Sequence, residues 1–146
     1  MRFSISADEE TGVATLIAGM LAERGHDVVA WHGALSEAER DDWAWASEAA
    51  ARDVAAGEAD QAVVACWTGT GASIAANKVG GIRAALCGDA ETAAGARKWN
   101  DANVLALSLR STSEALLGEI LDAWLAAEPS DEQGDRDNVA HLGTIR

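Results

Sequence analysis

A cysteine and two threonines surround a glycine-rich turn at residues 66–71, where the sequence reads CWTGTG. Residues 62–65 before this turn form a short apolar run with two valines, which is typical of a buried strand, and helix-forming residues follow as far as Lys78. Where a strand turns into a helix, the first N–H groups of the helix are unpaired and lie at the positive end of the helix dipole. The spacing therefore predicts an anion site, whose field favours a thiolate at Cys66. On spacing alone, an ordinary strand-to-helix connection whose glycines only relieve strain is an equal alternative.

Asp8 and the two cysteines each allow two interpretations. Asp8 follows the first predicted strand and precedes a helix, so it is either a helix cap or a catalytic residue. Cys66 ends a buried strand, where cysteine is most often a small core residue, but its place before the turn favours a chemical role. Cys87 has no comparable turn beside it and is interpreted as core.

Six tryptophans, beside one phenylalanine and no tyrosine, are the second unusual feature of the sequence. Trp124 lies on the apolar face of the last predicted helix and is interpreted as packing. Trp67 and Trp99 lie at the ends of a strand and of a helix, where an indole often lines a pocket or an interface. His26 and His141 receive no role.

Five predicted strands alternate with predicted helices along the chain. The strands cover residues 2–6, 26–31, 62–65, 82–87 and 104–108, and the first four helices cover residues 13–24, 41–56, 72–78 and 90–98. A capping-box pattern at Ser111 and Glu114 opens a last helix that ends near Ala127. Strands joined by helical crossovers pair in parallel, are covered on both faces and bind ligands at their carboxyl ends. The pattern therefore predicts one α/β domain with Asp8 and the 66–71 turn at one edge of its sheet.

The composition excludes several classes of protein. The formal net charge of −13 at pH 7 argues against nucleic acid and against an anionic membrane surface as partners. No apolar run approaches the length of a membrane span, and the N-terminus leads directly into a strand pattern rather than a signal peptide, so we expect a cytoplasmic protein. The two cysteines are too few and too far apart for a disulfide framework or a zinc site.

Four motifs in order resemble the ribose-5-phosphate isomerase B family, which includes the galactose-6-phosphate isomerase subunits. They are GEAD at 57–60, ACWTGTGASIAANK at 65–78, GIRAAL at 81–86 and NDANVLAL at 100–107. The resemblance implies a three-layer α/β/α sandwich with a five-stranded parallel Rossmann-like sheet, formed by one domain over residues 1–127. It also implies a homodimer, or a dimer of dimers, with active sites shared between subunits. The polar tail at 128–146 has no clear period, and we expect it to pack on the partner subunit.

The resemblance further implies an aldose–ketose isomerase that acts on a sugar or sugar phosphate through a cis-enediol intermediate, without metal or cofactor. Cys66 matches the base of the family and Thr68 the residue that assists ring opening. The amides of the 69–73 segment match the anion hole, which brings in Gly69, Thr70, Gly71 and Ser73. Asp8 matches an aspartate that binds substrate hydroxyls, Asn100 an asparagine that enters from the partner subunit, and Arg110 an arginine that binds phosphate.

Several pocket positions depart from the family pattern. Glu9 and Trp99 stand where the family has histidines. Trp67 stands where the family has glycine, and Trp43 where it has tyrosine. The family binds phosphate with two arginines in its C-terminal region, where this chain offers one, Arg136, for that role. A carboxylate at Glu9 would oppose a phosphate dianion by about 1 to 4 kcal/mol at a few ångströms. These changes predict a substrate other than ribose 5-phosphate. The alternative is a non-catalytic or repurposed sugar-binding dimer that has lost isomerase activity.

Overall fold

A five-stranded parallel sheet forms the centre of the molecule in the computed structural model, which describes residues 1–145. The strand order is β2-β1-β3-β5-β4. The strands are β1 (Arg2–Ala7), β2 (Asp27–Gly33), β3 (Gln61–Cys66), β4 (Ala84–Leu86) and β5 (Val104–Ser108). The predicted α/β/α fold with a five-stranded parallel sheet is confirmed.

Helices cover both faces of the sheet. They are α1 (Ile17–Glu23), which continues a 3₁₀ turn at Gly12–Leu16, α2 (Trp43–Ala55), α3 (Thr70–Asn77), α4 (Ala90–Asn100), α5 (Glu114–Ala126) and α6 (Gln133–Leu142). One face of the sheet packs large side chains such as Leu105 and Leu107 against α1, α4 and α5. The opposite face packs the alanine-rich helices α2 and α3 against small side chains of β3 and β5. Because Cys66 belongs to this second face, its sulfur lies on the side of the sheet that α3 covers.

The strand order places a crevice between the carboxyl ends of β1 and β3. The chain leaves β1 toward β2 on one side and later returns to build β3 on the other side. In open parallel sheets such a reversal of direction is where ligands bind. Asp8 follows β1 and Trp67 follows β3, so the topology brings the two candidate segments to one edge, as the sequence predicts.

The start of α5 differs from the prediction. The capping box at Ser111 and Glu114 is wrong, because the cap is Ser113, whose hydroxyl accepts a hydrogen bond from the Leu116 amide at 3.1 Å. Ser113 has extended backbone immediately before the helix, which is the conformation a cap needs. The Ser111 hydroxyl instead lies 3.1 Å from the hydroxyl of Ser108, in the loop after β5.

The C-terminal tail forms a helix that its sequence pattern does not reveal. Helix α6 is strongly polar and has no fully buried side chain. It packs against α4, and the Ser130 amide donates to the Lys98 carbonyl at 2.7 Å just before it begins. Residue 146, the end of the predicted tail, lies outside the described residues. No helix within residues 1–145 is long and apolar enough to cross a bilayer.

Candidate active site

The Cys66 sulfur lies at the junction of β3 and α3. The Gly69 amide donates a hydrogen bond to Sγ at 3.2 Å, and Gly69 is the residue that caps the N-terminus of α3. The side chain is nearly buried, with 4% of its surface exposed, yet it lines a cavity. The sulfur thus lies between an amide donor at the start of a helix and an open cavity.

Gly69 makes this turn possible. Its backbone is left-handed, with φ of 77°, a conformation that side chains of L-residues rarely adopt. A methyl group on its Cα would lie 2.5 Å from Leu86 Cδ1 and 2.8 Å from the Leu107 carbonyl carbon. Both the torsion and the contact with β5 therefore require glycine at this position.

Fewer backbone amides are free to bind an anion than the five predicted in the 69–73 segment. The Gly69 amide is already bonded to the Cys66 sulfur, and the Ser73 amide donates to the Gly69 carbonyl at 3.0 Å within the helix. The amides of Thr70, Gly71 and the next residue belong to the first turn of α3, where no helical acceptor exists. These three N–H groups form the donor set available to an oxyanion.

A cavity of about 340 Å³ opens in front of the sulfur. Besides Cys66, it is lined by Asp8, Trp43, Trp67, Thr68, Thr70 and Gly71. The Trp43 indole lies on the backbone of the turn, because a methyl group on Gly71 would lie 2.8 Å from Trp43 Cε3. The Thr68 and Thr70 hydroxyls lie 2.8 Å apart at the same place. The volume falls in the range of small-molecule sites, and the lining mixes indoles with hydroxyl and carboxyl groups.

Asp8 contributes a poorly solvated carboxyl to this cavity. The residue in the cap position before the following 3₁₀ turn is Thr11, so Asp8 is not the helix cap that was one of its two predicted roles. Its Oδ1 atom is buried and has no hydrogen-bond partner within residues 1–145. Burial raises the pKa of the Asp8 carboxyl, and the negative charges of Glu9 and Asp41 raise it further. The free oxygen can serve a substrate hydroxyl.

The segment after β5 holds the 66–71 turn in place. The Leu109 amide donates to the Cys66 carbonyl at 2.9 Å, and the Arg110 amide donates to the Trp67 carbonyl at 3.0 Å. The Ser108 hydroxyl adds a bond to the same Trp67 carbonyl at 3.0 Å. The backbone of Arg110 therefore lies next to the turn, whereas Ser108 is a positioning residue to which the sequence analysis gave no separate role.

Trp99, Asn100 and Arg136 line cavities that share no residue with the Cys66 cavity of their own chain. The Trp99 indole packs on Gly95 of α4 and lines a second cavity together with Arg136 of α6. Asn100 lines a third cavity, on the β4 side of α4. Within one chain the structure thus separates Trp99, Asn100 and Arg136 from the sulfur.

An acidic cavity of about 480 Å³ adjoins the Cys66 cavity and shares Asp8 with it. Glu9 and Glu10 line one side of this acidic cavity, while Glu37, Glu39 and Asp41 of the loop after β2 line the other. Glu9 therefore lies beside the candidate pocket rather than among the residues that line it directly.

Known proteins match both the sequence and the fold. A family model described as Ribose/Galactose Isomerase matches residues 4–142. Ribose-5-phosphate isomerase B of Escherichia coli is 43% identical over 112 residues, which cover 77% of this chain and 74% of that protein. D-erythrulose-4-phosphate isomerase of Pectobacterium atrosepticum is 49% identical over 72 residues, covering 49% of this chain and 47% of that protein. The structure of Trypanosoma brucei type B ribose 5-phosphate isomerase superposes with a TM-score of 0.88 at 36% identity, covering 99% of this chain and 98% of that one.

Proposed function

This chain belongs to the ribose/galactose isomerase family and is an aldose–ketose isomerase, and we propose that Cys66 is the base that moves the proton within its sugar phosphate substrate. The observation that carries the proposal is the placement of Sγ, which accepts the Gly69 amide at the N-terminus of α3 and borders the cavity. Thr70 and Gly71, whose amides have no helical acceptor, line the same cavity as this sulfur. Base and oxyanion donors thus face one volume.

The proposed reaction is a proton shift between neighbouring carbons. The Cys66 thiolate takes the proton from the carbon beside the carbonyl, and the electron pair of that C–H bond moves so that the carbonyl oxygen becomes an enediolate oxygen. The amides at the start of α3 hold this oxygen while its negative charge develops. The proton of the neighbouring hydroxyl then passes to this enediolate oxygen, and the thiol returns its proton to the former carbonyl carbon, so that the carbonyl group now stands on the neighbouring carbon. No electrons leave the substrate, and the step uses no oxidant, metal or cofactor.

Thr68 and Asp8 support this step in the proposal. The Thr68 hydroxyl, paired with that of Thr70 at 2.8 Å, is placed to exchange a proton with the ring oxygen when the sugar opens. Asp8 presents its unpartnered Oδ1 to a substrate hydroxyl. Trp43 covers the turn and excludes water from one side of the cavity.

The proposed working unit is a homodimer or a dimer of dimers with shared sites. Trp99, Asn100 and Arg136 border other cavities of their own chain, so they can act on a substrate only from a second subunit. In this arrangement Asn100 of the partner subunit completes the pocket, and the phosphate lies toward Arg110 and away from the acidic cavity. The tail at 128–146, with α6, stands at this proposed interface.

The proposed substrate differs from ribose 5-phosphate at its phosphate end. Glu9 and its carboxylate neighbours occupy one side of the pocket mouth, and they oppose a dianion placed there. The resemblance to an isomerase of erythrulose 4-phosphate supports a substrate range wider than pentoses. Sugar phosphates are retained inside the cytoplasmic membrane by their charge, so we place the enzyme in the cytoplasm.

The test combines a substrate panel with proton exchange in D₂O. Ribose 5-phosphate, allose 6-phosphate, erythrulose 4-phosphate and unphosphorylated pentoses are assayed with the wild type, with Cys66→Ala and with the matched control Cys87→Ala. We expect Cys66→Ala to lower both isomerisation and C2 proton exchange by at least about a hundredfold, the usual contribution of a general base. Cys87 is buried in the core, where burial raises the pKa of its thiol to about 12, so Cys87→Ala keeps its activity.

Two outcomes contradict the proposal. Undiminished proton exchange in Cys66→Ala removes the sulfur from the mechanism. No turnover of any panel sugar, combined with a saturable change in tryptophan fluorescence on adding one of them, identifies a sugar-binding protein without isomerase activity.

A further inference from the structure

His32 of β2 connects helix α2 and the 34–42 loop through its two ring nitrogens. It lies near the end of β2, and 13% of its side chain is exposed. Nε2 is 2.6 Å from Oδ2 of Asp53 in α2, and Nδ1 is 2.8 Å from Oε2 of Glu39 in the loop after β2. The Ser4 hydroxyl of β1 donates to the same Asp53 oxygen at 2.7 Å. The ring, together with the Asp53 carboxylate, therefore joins β1, β2 and α2 to the 34–42 loop.

The contacts of the ring favour its protonated form. Each ring nitrogen faces a carboxylate oxygen, and the Asp53 oxygen also accepts from Ser4. An imidazolium satisfies this arrangement, because it has an N–H group on each side of the ring. Burial alone lowers the pKa of His32, but the hydrogen bonds and charges of Asp53 and Glu39 outweigh it and raise the pKa above its ordinary value.

The loop that His32 holds lines the acidic cavity beside the Cys66 cavity and leads into Trp43, which lines the Cys66 cavity itself. Residues 34–42 run from the end of β2 to Trp43, whose indole covers the 66–71 turn. Glu37, Glu39 and Asp41 of this loop face Glu9 and Asp8 across the acidic cavity. Like charges repel one another, and two cationic side chains lie among these carboxylates: Arg40 of the loop pairs with Asp42, and the His32 ring is bonded to Glu39.

We propose that the His32 imidazolium is a positioning residue that holds the 34–42 loop against the pocket, so that catalysis falls when His32 loses its proton. This inference rests on the proposed isomerase function. A neutral imidazole has one N–H and can keep one of its two carboxylate bonds. Asp53 is 17% exposed and Glu39 is 40% exposed, so Asp53 keeps the bond and Glu39 moves into water. The loop carboxylates then spread away from Asp8 and Glu9.

The sign of the pH dependence follows from the raised pKa. The imidazolium contributes its full stabilisation below the unfolded-state pKa of about 6.5 and loses it as the pH rises through the higher folded-state pKa. Formation of the Cys66 thiolate acts in the opposite direction, because a base gains activity as it loses its proton. An alkaline loss of activity is therefore the signature of His32.

The experiment measures the pH profile of kcat/KM and the hydrogen-exchange protection of the 34–42 amides. In the wild type we expect protection in this loop to be lost at alkaline pH, with a fall of about ten- to hundredfold in kcat/KM, the usual cost of displaced substrate-positioning groups. His32→Gln lacks the cation, so its loop is unprotected and its kcat/KM low at all pH values. The control His26→Gln, on a histidine that contacts the N-terminal amine, keeps the wild-type profile.

Glu39→Gln is the second variant, and it keeps the inference testable if His32→Gln does not fold. An amide at position 39 can accept from a protonated ring and donate to an unprotonated one, so the alkaline limb disappears while activity near neutral pH is retained. An unchanged alkaline limb in both variants overturns the inference, as does a ¹⁵N spectrum that shows a neutral His32 ring at pH 6. If no panel sugar is converted, the proposed function fails while loop protection still tests the role of His32.

Discussion

At the residue scale, the candidate site depends on the contact between Cys66 and Gly69. Gly69 supplies the left-handed torsion that turns β3 into α3, and its amide is the donor to the sulfur. Gly69 also packs so closely against Leu86 and Leu107 that there is no room for a methyl group on its Cα. Gly69 therefore determines both the position of the Cys66 sulfur and the packing of the turn against β4 and β5.

Gly69→Ala is expected to destabilise the protein well beyond its backbone cost. The matched control is Gly57→Ala, because Gly57 has nearly the same φ, 76° against 77°, but open space around its Cα. We expect a loss of about 1 kcal/mol in the control from the torsion alone, and a loss larger by about 1 to 3 kcal/mol at Gly69 from overpacking. Urea denaturation of the two variants measures this difference, and equal midpoints would show that the contact with β5 is dispensable.

Single residues can be predicted where their neighbours along the chain define their environment. The strand, turn and helix around Cys66 follow from consecutive residues, whereas the roles of Cys66 as base and of Thr68 in ring opening come from the family resemblance and stay predictions. The contacts of His32 could not be predicted, because its carboxylate partners lie 7 and 21 residues away. The loss of one predicted alternative at Asp8 has the same origin, because only the folded chain shows that Thr11 precedes the 3₁₀ turn.

At the element scale, the end of α4 is held by a pair of arginines. Asp101 closes the helix with φ of 44°, the one residue other than glycine with a positive φ within residues 1–145. Its carboxylate lies 3.2 Å from Arg83 Nη2 and 3.3 Å from Arg97 Nη1. These ion pairs orient the turn that presents Asn100 and Trp99, so they support the part of the site that we assign to the partner subunit.

Asp101→Asn isolates those ion pairs, because asparagine tolerates the left-handed conformation but carries no charge. We expect a loss of about 1 to 2 kcal/mol of unfolding free energy, since Arg97 is largely buried and loses a charged partner. Asp122→Asn, which breaks an exposed pair with Arg24, should cost less than about 0.5 kcal/mol. Thermal and urea unfolding report both values; comparable losses in the two variants would mean that the arginine pair does not hold the turn.

The prediction of elements succeeds where an apolar pattern exists. The strands and helices over residues 2–127 carry one, and their order on the chain determines the parallel sheet. Helix α6 is strongly polar and has no fully buried side chain, so an apolar core pattern does not mark it. The cap of α5 lies two residues after the predicted one: Ser111 has Glu114 at capping-box spacing, but its hydroxyl contacts Ser108 in the loop, and Ser113 caps the helix instead.

At the scale of the whole molecule, the separation of the site residues on one chain calls for a test of assembly. Cys66→Ala and Asn100→Ala should each be inactive alone. When the two are unfolded together and refolded, half of the randomly formed dimers are mixed and each mixed dimer contains one complete site. We therefore expect about a quarter of the wild-type activity to return.

Sedimentation of the mixture provides the control for this complementation. The mixed sample must sediment as an oligomer of the same size as the wild type. A mixture no more active than its inactive components, at that size, would place both residues in the site of a single chain and would contradict the shared arrangement.

The hydrogen bond from Trp124 Nε1 to Gln61 Oε1, at 2.7 Å, provides a built-in spectroscopic probe. Trp124 is 1% exposed, whereas the five other indoles are about half exposed, and the chain contains no tyrosine to mask their emission. Blue-shifted fluorescence therefore originates from the centre of the fold and red-shifted fluorescence from its surface. Quenching by iodide removes the second component, so an unlabelled sample can separate events at the pocket rim from melting of the interior.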